Sequence, residues 1–151
     1  MNKCTTHNNC IEEAIKKAEK LCLERNLKFT RLRKAVLELV WESHVPLKAY
    51  EILDRLKIKE STAQPITIYR ILDFLIENNM IHKLESQNTF LGCSHPGSNH
   101  NCYFIICTKC HVVDEGCSTD LLTPIYNNLY LINFKPQHVT LEIQGICKNC
   151  S

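Results

Sequence analysis

Two Cys-x-x-Cys pairs, Cys107-Thr108-Lys109-Cys110 and Cys147-Lys148-Asn149-Cys150, constrain this 151-residue chain more than any other feature. Each pair can close on one side of a small ion, and two pairs brought together supply the four thiolates of a closed tetrahedral zinc site. Four thiolates leave no coordination position for water, so such a site holds structure rather than performing chemistry. The segment between the pairs must fold back on itself, which makes the back of the chain a metal-stapled unit. Disulfides are the competing use of cysteine at this density, since the chain has ten. Residues 1–20 are polar and charged, however, with no apolar run suited to a signal peptide or a membrane span. A reducing, cytoplasmic setting is expected, where cysteines at this spacing bind metal.

Charge divides the chain in the same place. Residues 1–84 carry 15 Lys or Arg against 11 Asp or Glu, or +4, and residues 85–151 carry 3 against 5, or −2, which together give the net +2. A positive front half suits a polyanion, and a cysteine-rich back half suits a sensor or a staple.

Residues 1–10 are polar and read as a frayed tail. From Ile11 to Arg25 the apolar positions Ile11, Ala14, Ile15, Ala18, Leu21 and Cys22 recur every three or four residues, the pattern of an amphipathic helix. Thr30 can cap a second helix over 31–43, with Arg31, Arg33 and Lys34 off its apolar face. Leu47, Tyr50, Ile52, Leu53 and Leu56 predict a third helix over 47–57. The fourth starts at Pro65, whose missing N–H costs nothing in a first turn. Its buried stripe is Ile68, Ile71, Leu72 and Leu75, leaving Thr67, Tyr69, Arg70 and Asp73 to project elsewhere. Asn78-Asn79 is a stop signal, and Met80–Leu84 with Thr89–Leu91 reads as a hairpin turning at 85–88. This order suits a winged helix-turn-helix, with the fourth helix in the major groove of DNA. A small helical bundle with wetted basic residues fits the periodicity equally well.

The back half predicts a strand at Tyr103–Ile106, a return at Val112-Val113, a helix from Ser118 or Thr119 through Leu129, and a strand over Val139–Ile143. So small a sheet with one helix leaves edges and faces uncovered, which two copies could cover in a homodimer. Between the halves, His82, Cys93, His95, His100, Cys102, Glu115, Cys117 and His138 remain as candidate ligands for a second metal. A thiolate among them favours zinc over iron or manganese, and the residues alone leave the ligand set open.

Leu47-Lys48-Ala49-Tyr50-Glu51-Ile52-Leu53, Thr67-Ile68-Tyr69-Arg70-Ile71-Leu72-Asp73-Phe74-Leu75, His82-Lys83-Leu84-Glu85-Ser86 and the two cysteine pairs resemble the ferric uptake regulator family, most closely its zinc uptake regulator branch. The resemblance implies an α+β chain: a winged helix-turn-helix DNA-binding domain at 1–84, its wing extending to about 92, then a small α/β dimerisation domain at 93–151. It implies two zinc ions per chain, one structural at Cys107, Cys110, Cys147 and Cys150 and one regulatory at His82, Cys93, His100 and Glu115. Tyr50 and Arg70 match family DNA contacts. Thr67 and Tyr69 on the same helix, and Arg31 and Arg33, complete the expected DNA-binding set. The implied function is a non-enzymatic, homodimeric, cytoplasmic repressor of zinc-uptake genes that binds double-stranded operator DNA, touches no membrane and uses zinc as corepressor. An iron-, manganese- or peroxide-responsive regulator of the same family is the alternative. The family commonly has Thr-Pro-Gln-Arg where this chain has Thr30-Arg31-Leu32-Arg33, and the iron branch's dense His-Asp cluster is here reduced to His100 and Cys102.

Overall fold

A computed structural model of the chain describes residues 7–42, 45–97, 102–117, 119–137 and 139–151. Two compact units emerge, Met1–Ser98 and Asn99–Ser151.

The first unit is built from α1 (His7–Glu24), α2 (Arg31–Trp41), α3 (Ala49–Lys59), α4 (Pro65–Glu77) and an antiparallel hairpin of β1 (Ile81–Leu84) and β2 (Thr89–Gly92). Helix α2 is its hub and packs against α1, α3, α4 and β2. Val36, Leu37, Ile52, Leu56, Ile68, Leu72, Leu75 and Ile81 form a sealed centre, each under 2% exposed. The periodic apolar positions made that core legible, and Cys22 lies in it as a small apolar residue, 2% exposed. Truncating Leu56, which is 0% exposed, removes three carbons from the sealed centre. Leu56→Ala should destabilise this unit by about 2–5 kcal/mol, read as a lower denaturant midpoint at unchanged slope.

Local chemistry sets the element ends. Thr30 Oγ1 accepts from the Arg33 amide at 3.4 Å as the α2 cap, and the Glu51 carboxylate accepts from the Lys48 amide at 2.7 Å as α3 begins. Asn79, at φ 52°, turns the chain out of α4 in the left-handed region that asparagine tolerates.

Two helix starts in this unit differ from the periodicity. Helix α1 begins at His7, not Ile11, because Cys10 lies one turn before Ala14 and is itself half-buried, so the packed stripe runs back into the polar tail. Helix α3 begins at Ala49, not Leu47, because Leu47 and Phe90 exchange backbone hydrogen bonds of 3.0 and 2.8 Å. That bridge holds Leu47 extended and ties the hairpin to the helices.

The second unit is a three-stranded sheet in the order β4-β3-β5 with one helix, from β3 (Tyr103–Cys107), β4 (Val113–Gly116), α5 (Thr119–Leu131) and β5 (Leu141–Gly145). Strand β3 pairs antiparallel with β4 and parallel with β5. The last strand starts at Leu141 rather than Val139, where pairing with Tyr103 begins. Among the described residues its buried apolar set is small: Cys102, Phe104, Ile106, Cys107, Val113 and Leu122.

Candidate metal centres and nucleic-acid surface

The parallel pairing of β3 with β5 explains how distant cysteines meet. Cys107 lies opposite Gly145 at the ends of both strands, so each strand runs straight into its Cys-x-x-Cys turn. His111, at φ 59°, donates its amide to the Cys107 carbonyl at 2.9 Å and closes the first turn. The Cys150 amide does the same to the Cys147 carbonyl at 2.9 Å. The Thr108 amide on the Gly145 carbonyl at 2.8 Å and Lys109 Nζ on the Cys150 carbonyl at 2.8 Å bind one turn to the other.

All four sulfur atoms lie within 4.8 Å of one another, and Cys110 and Cys147 are 3.8 Å apart. Thiolates around a tetrahedral zinc with bonds of about 2.3 Å stand about 3.8 Å apart, so the set fits zinc. The electrostatics point the same way. Backbone N–H groups of Cys110 and then Cys147 hold the Cys107 thiol down to about 5. The neighbouring Cys147 and Cys110 thiols push Cys150 up to about 12. Four thiols this close cannot all ionise unaided, and a divalent cation among them is what would let every one release its proton.

The candidate ligands of the second metal fall in both units. In the first, His82 stands opposite Leu91 in the hairpin. The Cys93 amide donates to the Met80 carbonyl at 3.0 Å and carries the ladder one step past Gly92. His82 and Cys93 are therefore diagonal neighbours on one face, and their ligand atoms lie within 4.8 Å. Cys93 is 1% exposed. A side chain at Gly92 would collide with the Trp41 ring, so glycine lets the strand close on the core and seats Cys93 beside it. The following loop is tied to α1 by Lys17 on the Ser94 carbonyl at 3.4 Å, and to the turn just after α1 by Arg25 on the Gly97 carbonyl at 2.8 Å.

In the second unit Glu115 lies on β4 opposite Phe104. The Cys102 thiol donates to Glu115 Oε1 at 3.1 Å, and the Cys117 thiol donates to the same oxygen at 3.6 Å. Burial first, then hydrogen bonds to Cys117 and Glu115, push the Cys102 thiol far above its ordinary range. Burial also raises Cys117. Sequence reasoning counted both cysteines among the open candidates for the second metal and did not pair them with each other, because that pairing follows only from the β3–β4 register. His95 is exposed, while His100 and His138 lie outside the described residues.

The expected DNA-binding residues are distributed over α2, α3 and α4. Tyr50 and Tyr69 are 59% and 56% exposed, Arg70 is exposed, and Thr67 is half-buried. The basic pair on α2 is differently placed. Arg33 lies 3.4 Å over the Phe74 ring and also donates to the Lys28 carbonyl, so much of its guanidinium is occupied by packing. Arg31 is ion-paired with Glu60 yet remains 81% exposed, a pairing weak enough to exchange for phosphate.

The ferric uptake regulator family model matches residues 24–144. The zinc uptake regulation protein of Escherichia coli strain K12 is 34% identical over 151 residues, an alignment covering 99% of this chain and 85% of that protein. The solved structure of a zinc uptake regulator complexed with zinc and DNA superposes with a TM-score of 0.88 at 33% identity, covering 93% of this chain and 94% of that one. The crystal structure of holo XcZur does so with a TM-score of 0.83 at 39% identity, covering 90% and 95%. Built from a helical unit with a hairpin and a sheet whose strand ends gather two cysteine pairs, the chain belongs to the ferric uptake regulator family.

Proposed function

We propose that this chain is a zinc-responsive, DNA-binding repressor of zinc-uptake genes, with zinc as corepressor. The observation that carries the reading is the pairing of His82 with the buried thiol of Cys93 on one face of the hairpin. Imidazole plus thiolate is a donor set for zinc, whereas iron and manganese sites favour nitrogen and oxygen. The relatives at 33–34% identity that are named for zinc uptake support the same choice.

On this reading Cys107, Cys110, Cys147 and Cys150 hold a structural zinc, and His82, Cys93, His100 and Glu115 hold a regulatory one, two per chain. Zinc supplies charge and a fixed four-ligand geometry; the chain supplies the two half-sites and the change that follows. His82 and Cys93 belong to the hairpin and Glu115 to the sheet, so a shared ion would select one arrangement of the DNA-reading unit. By linkage, whatever zinc contributes to operator affinity, operator must return to zinc affinity. With four protein ligands the second site has no position for a reacting water, which separates it from hydrolytic zinc centres.

Helices α2 to α4 with the hairpin serve as a winged helix-turn-helix, α4 presenting Thr67, Tyr69 and Arg70 to the major groove and α3 presenting Tyr50. Arg31 at the start of α2, and Arg33 with the part of its guanidinium not held by Phe74 and Lys28, would contact phosphates. Dimerisation belongs to the second unit. Leu131, Ile132, Phe134 and Ile146 are 55–81% exposed there, more apolar surface than a small solvated unit tolerates. Two copies would cover it and would read a palindromic operator. Among the described residues no helix is long and apolar enough to cross a membrane.

The test is operator binding with one metal supplied at a time. Zinc should support binding at concentrations where ferrous iron and manganese do not, and equal support by manganese would defeat the assignment. Arg70→Ala should weaken operator binding by about 1–3 kcal/mol and relax base preference at one position of each half-site, while leaving zinc content unchanged.

A further inference from the structure

A second pair of thiols stands apart from the four-cysteine cluster. Cys102 precedes β3 and Cys117 follows β4. The register pairs Tyr103 with Gly116, and one step outward sets Cys102 opposite Cys117. The Cys107 amide donates to the Val112 carbonyl at 3.0 Å in the same register, so hydrogen-bonded pairs recur at alternate positions. The cysteine pair therefore falls at a non-hydrogen-bonded position, where facing Cα atoms approach to about 4.5 Å. That is within the range of about 4.4–6.8 Å that a disulfide spans. Glycine at 116 leaves room for the Tyr103 ring, which a side chain there would displace.

The two sulfur atoms are 2.7 Å apart. Thiolates sharing a tetrahedral zinc would stand about 3.8 Å apart, the separation Cys110 and Cys147 have. Cys102 and Cys117 are too close for a common ion and approach the bonded distance of about 2.05 Å. Access is asymmetric, with Cys117 exposed and Cys102 6% exposed.

We propose that Cys102 and Cys117 are a redox-active dithiol that closes to an intrachain disulfide on exposure to a peroxide. Cys117 reacts with hydrogen peroxide through its thiolate: an S–O bond forms as the O–O bond breaks, the departing hydroxide takes up the proton the thiol released, and a sulfenic acid and one water result. The Cys102 thiol then attacks that sulfur; the S–S bond forms, the S–O bond breaks and a second water leaves. The pair loses two electrons and two protons, and the peroxide is reduced to two waters. Both thiols donate to the Glu115 carboxylate, at 3.1 and 3.6 Å, and the disulfide has no S–H to donate. Resting on the reading of Glu115 as a regulatory zinc ligand, closure removes the partners that orient it. Such partners tune metal affinity about 10–100-fold, so oxidation should weaken the second zinc about tenfold or more.

The experiment treats the reduced, zinc-loaded full chain with hydrogen peroxide, alkylates the remaining thiols and sequences the proteolytic peptides by mass spectrometry. Zinc affinity is measured by chelator competition before and after. A Cys102–Cys117 link is expected, reversed by dithiothreitol and absent from Cys102→Ala and Cys117→Ala. Second-site zinc should weaken about tenfold on oxidation in the natural chain and not in either variant. Retention of the structural zinc verifies that the variants are folded. A Cys117 that stops at sulfenic or sulfinic acid, or links instead to Cys93 or Cys107, overturns the dithiol. A disulfide that leaves zinc affinity unchanged overturns the coupling to Glu115. If Glu115→Gln also leaves affinity unchanged, the failure lies in the reading of the zinc site and not in the thiol pair.

Discussion

Cys147→Ser is expected to cost the chain its second unit. The described residues of that unit bury few apolar side chains, and two of those are themselves cysteines, Cys102 and Cys107. Structural zinc in small folds contributes about 10–16 kcal/mol of binding free energy that is also folding free energy. Whole domains have net stabilities of only about 5–15 kcal/mol, so removing one of four thiolates exceeds what the sheet and α5 can replace. The variant should lose tightly held zinc, lose the ellipticity of the β3–β5 sheet, and sediment as a monomer or aggregate. The first unit has its own core of α1 to α4 and should keep its helical signal. A Cys147→Ser protein that stayed folded and dimeric would mean that packing, rather than the metal, holds this unit. Strong chelation of the natural chain should reproduce the same loss, more slowly than it strips the second ion.

Cys93→Ser separates sensing from folding. Cys93 lies outside the four-cysteine cluster and outside the apolar centre of the helical unit, so serine should leave the fold and the structural zinc in place. A hydroxyl is a far poorer zinc donor than a thiolate, and the half-site would keep only His82 of its pair. Loss of the ion should lower operator affinity by the coupling between the two sites, typically about 5–150-fold. Isothermal titration with zinc should then report one fewer high-affinity site, and gel-shift titration the weakened operator binding. Unchanged operator affinity beside a lost zinc would remove the ion's regulatory role, and unchanged zinc binding would remove Cys93 from the ligand set.

Much of this was legible in the residues because the signals were local. The α4 stripe of Ile68, Ile71, Leu72 and Leu75 could face only a core, and all four are buried. The hairpin at 81–92 was announced by the Asn78-Asn79 stop before it and the polar turn at 85–88 within it. The cysteine pairs could be joined on paper because each is complete in itself, but the parallel β3–β5 pairing that brings them together is a long-range fact that no spacing reveals. Leu47 shows the limit at short range: its apolar character fits a helix face, and only the hydrogen bonds to Phe90 make it extended. Arg33 shows it for side-chain placement, since a cation near a helix start reads as wholly free, and only the fold puts the Phe74 ring beneath its guanidinium. Cys102 and Cys117 carried no motif; their relation exists only through strand register.

The central claim is that one removable ion governs DNA binding while another stays to hold the fold. The direct measurement is operator affinity on two preparations whose zinc content is fixed by elemental analysis, one with both ions and one with only the structural ion after mild chelation. Tight binding by the first and binding weakened about 5–150-fold in the second is the predicted result. Equal affinity in both preparations would contradict it.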